Sequence, residues 1–220
     1  MTQVKICGLT TEADAVFAQR AGARFLGVIL AGGPRLLDVE RARDVLGVRR
    51  HGVSRVAVFA DRPVAELLSI SESLDLDVLQ LHGEPSAALI AQLRSESSRA
   101  VWPVVRIAGT DLPSEARELA AAAGTLVLDA KVVGQLGGTG VALDWSGLAD
   151  SVESLRVSVP GVQLVLAGGL RASNVAKAIA LLNPEVVDVS SGVESAPGVK
   201  DPLAVERFVS AVMAAKGTRR

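Results

Sequence analysis

Tyrosine is absent from the 220 residues, cysteine occurs once, at Cys7, and histidine only at His51 and His82. One thiol excludes an intrachain disulfide and any cysteine-rich zinc site. Two histidines far apart in sequence make a poor start for another metal centre, so no metal is expected. Scarce aromatics leave no platform on which bases would stack. Neither charge predominates: 23 Lys+Arg stand against 24 Asp+Glu, for a net charge of −1. That balance supplies no basic field for nucleic acid or an acidic membrane surface. No apolar run reaches the ~18 residues of a membrane span before glycine or charge interrupts it. The N-terminus has no charged region leading into a long apolar one, so a cytoplasmic protein without a signal peptide is expected. GxGxxG is missing, and the GGTG at 137–140 is not followed by Lys-Ser/Thr. Neither a dinucleotide fingerprint nor a P-loop is present, so a dinucleotide is disfavoured.

What the chain has is alternation. Its 49% hydrophobic content suffices for one large core or two small ones. Short apolar runs read as strands at 4–7, 25–30, 55–60, 77–81, 101–107, 125–129, 163–167 and 186–190. Amphipathic segments at 11–22, 38–47, 62–70, 85–94, 113–124, 143–155, 173–182 and 201–215 separate or follow them and read as helices. The strand runs are continuously apolar rather than alternating, which marks strands covered on both faces and a parallel sheet. Eight such units in one chain of this length predict an α/β fold, a (β/α)8 TIM barrel forming one domain over 1–220. An open doubly wound sheet is the alternative, disfavoured by the strand count and the short helices.

A barrel predicts chemistry just after its strands. The residues there are Cys7, the loop AGGPR at 31–35, Asp61, His82, Arg106, Asp129, the pair Gly168–Gly169, and Ser190–Ser191–Gly192. The opposite strand ends offer helix stops and ordinary charge, and this asymmetry points to an enzyme. Glycine lets backbone N–H groups approach an anion, and the loops after strands seven and eight form the usual phosphate site of such barrels. Gly138, Thr139 and Gly140 of GGTG, with Gly168, Gly169, Ser190, Ser191 and Gly192, are the expected phosphate-binding residues, and a small molecule carrying a phosphate is the expected partner. Alternation along a strand puts Lys5 and Cys7 on one face. Strands one and eight meet when the barrel closes, so a buried Lys5–Asp188 ion pair is expected beneath Cys7. Its ammonium is expected to favour the Cys7 thiolate. Asp129 closes an apolar run where a solvated position is unnatural, and Lys131 with the following loop is placed to cover it. A thiolate and a carboxylic acid across one mouth suit proton shuttling. Arg35 offers a fork for a carboxylate. His82 reads as a rim histidine, structural or catalytic. Asp144 reads as a helix N-cap and Trp145 as packing.

KICG at 5–8, QLHG at 80–83, LDA at 128–130, GGTG followed by LDW at 143–145, LAGGL with Asn174, and VDVSSGVESAPGVKD at 187–201 together resemble phosphoribosylanthranilate isomerase of tryptophan biosynthesis. The resemblance covers nearly the whole chain. It implies a cofactor-free Amadori rearrangement of N-(5′-phosphoribosyl)anthranilate, with Cys7 as general base and Asp129 as general acid. It also implies substrate contacts from Arg35 at the anthranilate end and phosphate contacts from the glycine loops. Lys5, His82 and Asp188 complete the expected substrate-binding set. One departure is Gly33, where the family usually has serine in a Ser-Pro-Arg-like loop, which leaves open how Arg35 is positioned. The related isomerase of histidine biosynthesis, or an enzyme serving both substrates, is the nearest alternative, although that isomerase typically uses two aspartates. A phosphosugar-binding barrel without catalysis is the alternative of another class. A monomer or a homodimer is expected.

Overall fold

The computed structural model describes residues 1–130 and 144–215. Eight parallel strands close into a barrel in sequence order. They are β1 (Gln3–Ile6), β2 (Phe25–Ile29), β3 (Ser54–Phe59), β4 (Val78–Leu81), β5 (Ala100–Ile107), β6 (Thr125–Ala130), β7 (Gln163–Leu166) and β8 (Val186–Val189). Closure comes from β8 pairing with β1, where Lys5 stands opposite Asp188. The helices outside are α1 (Glu12–Ala21), α2 (Val39–Gly47), α3 (Val64–Ser73), α4 (Ala87–Glu96), α5 (Ala116–Ala123), α6 (Trp145–Ser158), α7 (Val175–Leu182) and α8 (Pro202–Ala214). None of them is long and apolar enough to cross a membrane.

The continuously apolar strands are explained by burial on both faces: every residue of β4, β6 and β8 is buried. In β6, Leu126, Leu128 and Ala130 point outward into the large core between barrel and helices. Val127 points inward and joins Val56, Val78, Trp102, Val104, Val165 and Val186 in a second cluster that fills the lower barrel. Phe25 packs on Trp102 there, with ring centroids 5.0 Å apart. The interior is therefore an apolar plug below and polar above, where Lys5, Gln80, Asp129 and Asp188 continue the same inward rows.

Capping sets the helix starts. Thr11, Asp38, Ser86 and Asp144 each accept a hydrogen bond from the backbone N–H three residues on, each cap contributing about 1 kcal/mol. One element was not expected from the sequence. After β8 a 3-10 turn (Ser191–Val193) leads into a small antiparallel hairpin of β9 (Glu194–Ala196) and β10 (Val199–Lys200). Three- and two-residue strands carry too little periodicity to be recognised in sequence.

Candidate active site

The strand ends at the C-terminal mouth surround one open cavity. Cys7, Arg35, Gln80, His82, Asp129 and Asp188 line it, with Gly168, Gly169, Ser190, Ser191 and Gly192 along one side. Eleven residues from separate loops and strands thus share a wall. Among the expected site residues, Gly138, Thr139 and Gly140 lie outside the described residues, as does Lys131.

Lys5 is not on the cavity wall. It is fully buried beneath it, with Nζ 2.7 Å from Asp188 Oδ2. Burial alone would lower its pKa, but Asp188 and Cys7 outweigh burial and raise it, so Lys5 keeps its charge. The ion pair is the one expected from the closure of β1 on β8. Its ammonium is engaged by Asp188, so Lys5 is placed to act on the cavity through that carboxylate. Asp188 does reach the cavity, and its Oδ1 is buried without a partner among the described residues.

Lys5 does favour the Cys7 thiolate, as expected, but burial opposes it. Burial pushes the Cys7 thiol up, and although Lys5 pulls it down, the net displacement is upward. The neighbouring ammonium is real but already neutralised by Asp188, whose charge pushes the thiol up again. Burial therefore outweighs Lys5 at Cys7 and favours the thiol.

Gly27 of β2 explains how Lys5 and Cys7 fit on one face. A Cβ there would stand 3.0 Å from Cys7 Sγ and 3.1 Å from Lys5 Cε. Gly8 follows Cys7 in the left-handed region at φ +67°, and a Cβ on it would lie 2.5 Å from Arg35 Cδ. The arginine stem thus runs directly over Gly8.

Across the mouth, His82 Nε2 lies 3.1 Å from Asp129 Oδ2. Arg106 Nη2 donates to the His82 carbonyl at 2.7 Å and lies 3.2 Å from His82 Nδ1. A guanidinium only donates. Nδ1 must then accept, the ring proton sits on Nε2, and His82 donates to Asp129. This tautomer is assigned from the hydrogen-bond network. Arg106 faces Asp129 across the β5–β6 pairing. It was legible as a strand-end residue, but its partner was not. A side chain added at Gly168 would come within 2.9 Å of Asp129 Oδ1, so the loop after β7 closes on the carboxylate's other oxygen.

Arg35 is held rather than loose. Its Nε and Nη2 donate to Glu194 Oε1 and Oε2 at 2.7 and 2.6 Å. Glu194 and its second partner Lys200 were missed in the sequence, because nothing local signals a carboxylate that pairs across the mouth. The loop after β7 is fixed by Asn174, which accepts from the Arg171 N–H and donates to the Gly169 carbonyl. Ser190 Oγ is buried and has no partner among the described residues. No cluster of three or more metal-ligating side chains occurs among the described residues.

The arrangement supplies a thiol and a carboxyl on one cavity, a cationic fork at one end, and glycine and serine loops at another. Known proteins of similar sequence and fold share one name. A family model described as N-(5′-phosphoribosyl)anthranilate (PRA) isomerase matches residues 4–211. The N-(5′-phosphoribosyl)anthranilate isomerase of Pseudomonas putida is 42% identical over 211 residues, covering 94% of this chain and 96% of that one. The crystal structure of phosphoribosyl anthranilate isomerase from Thermus thermophilus superimposes with a TM-score of 0.84 at 31% identity, covering 98% and 100% of the two chains. A phosphoribosyl anthranilate isomerase solved in complex with reduced 1-(o-carboxyphenylamino)-1-deoxyribulose 5-phosphate superimposes with a TM-score of 0.78 at 29% identity, covering 97% and 99%.

Proposed function

The chain belongs to the N-(5′-phosphoribosyl)anthranilate isomerase family, and on that footing we propose that it converts N-(5′-phosphoribosyl)anthranilate to 1-(2-carboxyphenylamino)-1-deoxyribulose 5-phosphate, with Asp129 as general acid and Cys7 as general base. The observation that carries this reading is that these two groups line one cavity whose rim also holds Gly168, Gly169, Ser190, Ser191 and Gly192. Those loops are the proposed phosphate seat, with the unpartnered Ser190 hydroxyl as one donor. Arg35 takes the anthranilate carboxylate. His82 holds Asp129, and Asp188 holds Lys5 under Cys7.

Asp129 gives its proton to the furanose ring oxygen. The C1–O bond breaks, and the anthranilate nitrogen supplies the electron pair that forms an iminium at C1. Cys7 then removes the C2 proton, leaving an enolamine. Its C2 hydroxyl loses a proton and C1 gains one, which gives the ketone. The sugar has gained one proton from Asp129 and lost one to Cys7. The pair ends as carboxylate and thiol, and a proton returns to Asp129 before the next turnover. Thiolate with carboxylic acid carries the same number of protons as thiol with carboxylate, so one proton moving from Cys7 to Asp129 restores the reactive pair. Lys5 lowers the cost of that transfer by opposing burial at Cys7.

The test is turnover of phosphoribosylanthranilate by the purified protein, with the aminoaldose substrate of the histidine-pathway isomerase run beside it. Turnover of the first supports the reading. Turnover of neither contradicts it and leaves the non-catalytic binding barrel.

A further inference from the structure

Arg35 sits in a loop that offers it little support. A Cβ at Gly32 or Gly33 would meet nothing within 4 Å, so this stretch is unbraced on that side. Long side chains on such loops carry large rotamer freedom that binding must remove. Yet Arg35 is only 8% exposed, and its position is determined by a residue 159 places away. Glu194 takes both hydrogens of one edge of the guanidinium, Nε–H and one Nη2–H. Glu194 is itself fixed. Lys200, its partner across the β9–β10 hairpin, donates to Oε1 at 2.7 Å and also to the Ser190 carbonyl at 3.3 Å. The side chains of Glu194 and Lys200 are 4% and 2% exposed. Thr10 Oγ1 donates to the Gly198 carbonyl at 2.5 Å, tying the hairpin tip to the loop after β1.

A guanidinium has two edges that can each meet a carboxylate in a fork. Glu194 occupies one of them. The other, formed by Nη1 and the remaining Nη2–H, has no partner among the described residues. A second carboxylate would ordinarily be repelled by Glu194, but Lys200 cancels that charge, so the cluster of Arg35, Glu194 and Lys200 keeps one net positive charge. Gly8 beneath and Glu194 beside it leave the arginine a single way to face.

We propose that Glu194, braced by Lys200, is a positioning residue that presents the free edge of Arg35 to an aryl carboxylate and thereby sets how strongly the site separates carboxylated from uncarboxylated aminosugar phosphates. This rests on the reading in which Arg35 meets the anthranilate carboxylate. The hairpin after β8 then serves as a specificity element, and the glycine in place of serine at position 33 is compensated from across the mouth.

The experiment measures calorimetric binding of two non-reacting ligands: reduced 1-(o-carboxyphenylamino)-1-deoxyribulose 5-phosphate and its 1-phenylamino counterpart, which lacks the carboxylate. The readout is the ratio of their affinities in the parent, Arg35→Met and Glu194→Gln. The parent is expected to prefer the carboxylated ligand by about tenfold or more, the worth of one good charged contact. Glu194→Gln is expected to lose most of that ratio, as Arg35→Met does, while binding of the uncarboxylated ligand stays within about threefold. If the parent and Arg35→Met discriminate differently but Glu194→Gln keeps the parent's ratio, the positioning role is wrong and the Arg35 reading stands. If the parent does not discriminate, the Arg35 reading itself fails and this inference with it. Equal loss of both ligands in Glu194→Gln contradicts the carboxylate-specific role. Should Glu194→Gln fail to fold, Glu194→Asp carries the same measurement: its shortened reach is expected to reduce the ratio selectively, and an unchanged ratio overturns the proposal.

Discussion

His82 Nε2 meets Asp129 Oδ2 at 3.1 Å, and Arg106, on the strand between them, decides which of the two gives the hydrogen. Because Arg106 occupies Nδ1 as a donor, His82 donates to one oxygen of Asp129 and leaves the other for the acid's own proton. Arg106→Met is expected to free the imidazole to adopt either tautomer and to lower kcat by about tenfold, the equivalent of one oriented hydrogen bond of ~1.4 kcal/mol. Arg106→Lys should restore part of it. The check is the pH profile of kcat for both variants: an unchanged profile in Arg106→Met means that Arg106 only packs.

Cys7 is predicted to be a thiol at neutral pH. Burial raises it and Lys5 only partly offsets that rise. Its alkylation by iodoacetamide should be slow at pH 7 and should accelerate through a midpoint above the usual thiol range, about 8.5. In Lys5→Met the midpoint should move further up, since the one large lowering influence is gone. The same change leaves Asp188 buried without its partner and should cost about 3–5 kcal/mol of stability, measured by urea unfolding. An unmoved midpoint would show that Lys5 has no electrostatic role at the thiol.

Gly27 is predicted to be intolerant of a methyl group. Gly27→Ala places a Cβ about 3 Å from Cys7 Sγ, the Cys7 backbone and Lys5 Cε. Overpacking of this kind costs about 1–3 kcal/mol. Denaturant unfolding measures it, and a loss below ~0.5 kcal/mol would mean that the strand shifts aside.

Glu194 predicts a pH-dependent stability. Burial alone would raise its pKa, but hydrogen bonds from Arg35 and Lys200 outweigh burial and lower it. A carboxylate depressed in the folded state contributes stability that is complete above its unfolded pKa and lost as pH falls through the folded one. The stability gap between the parent and Glu194→Gln should therefore be widest above about pH 4.3 and narrow below it. Urea unfolding of both proteins from pH 7 down to pH 3 measures the gap, and a constant gap would contradict the ionised pair.

The barrel was legible because each strand is an apolar run covered on two faces and several helices carry a start or stop signal. Asp38 and Asp144 are such signals, and both cap as their residue types suggest. The Lys5–Asp188 pair was legible as well, because closure and alternation alone place the two side by side. The balance at Cys7 was not. A sequence shows the lysine and its partner, but not how much burial costs the thiolate. Arg35 posed the same difficulty in another form. Its loop reads as loose, and its anchor Glu194 lies in a hairpin too short to leave a pattern. Contacts between residues far apart in the chain, made by side chains reaching over the mouth, carry no local signature.

The central claim is that Cys7 and Asp129 perform the chemistry while other groups bind. The most direct measurement compares kcat for phosphoribosylanthranilate with affinity for the reduced product analogue in the parent, Cys7→Ala and Asp129→Asn. Each substitution is expected to lower kcat by ~10²–10⁴-fold, as loss of a general acid or base does, with affinity changed by less than about threefold. Near-parent turnover in either variant would contradict the account.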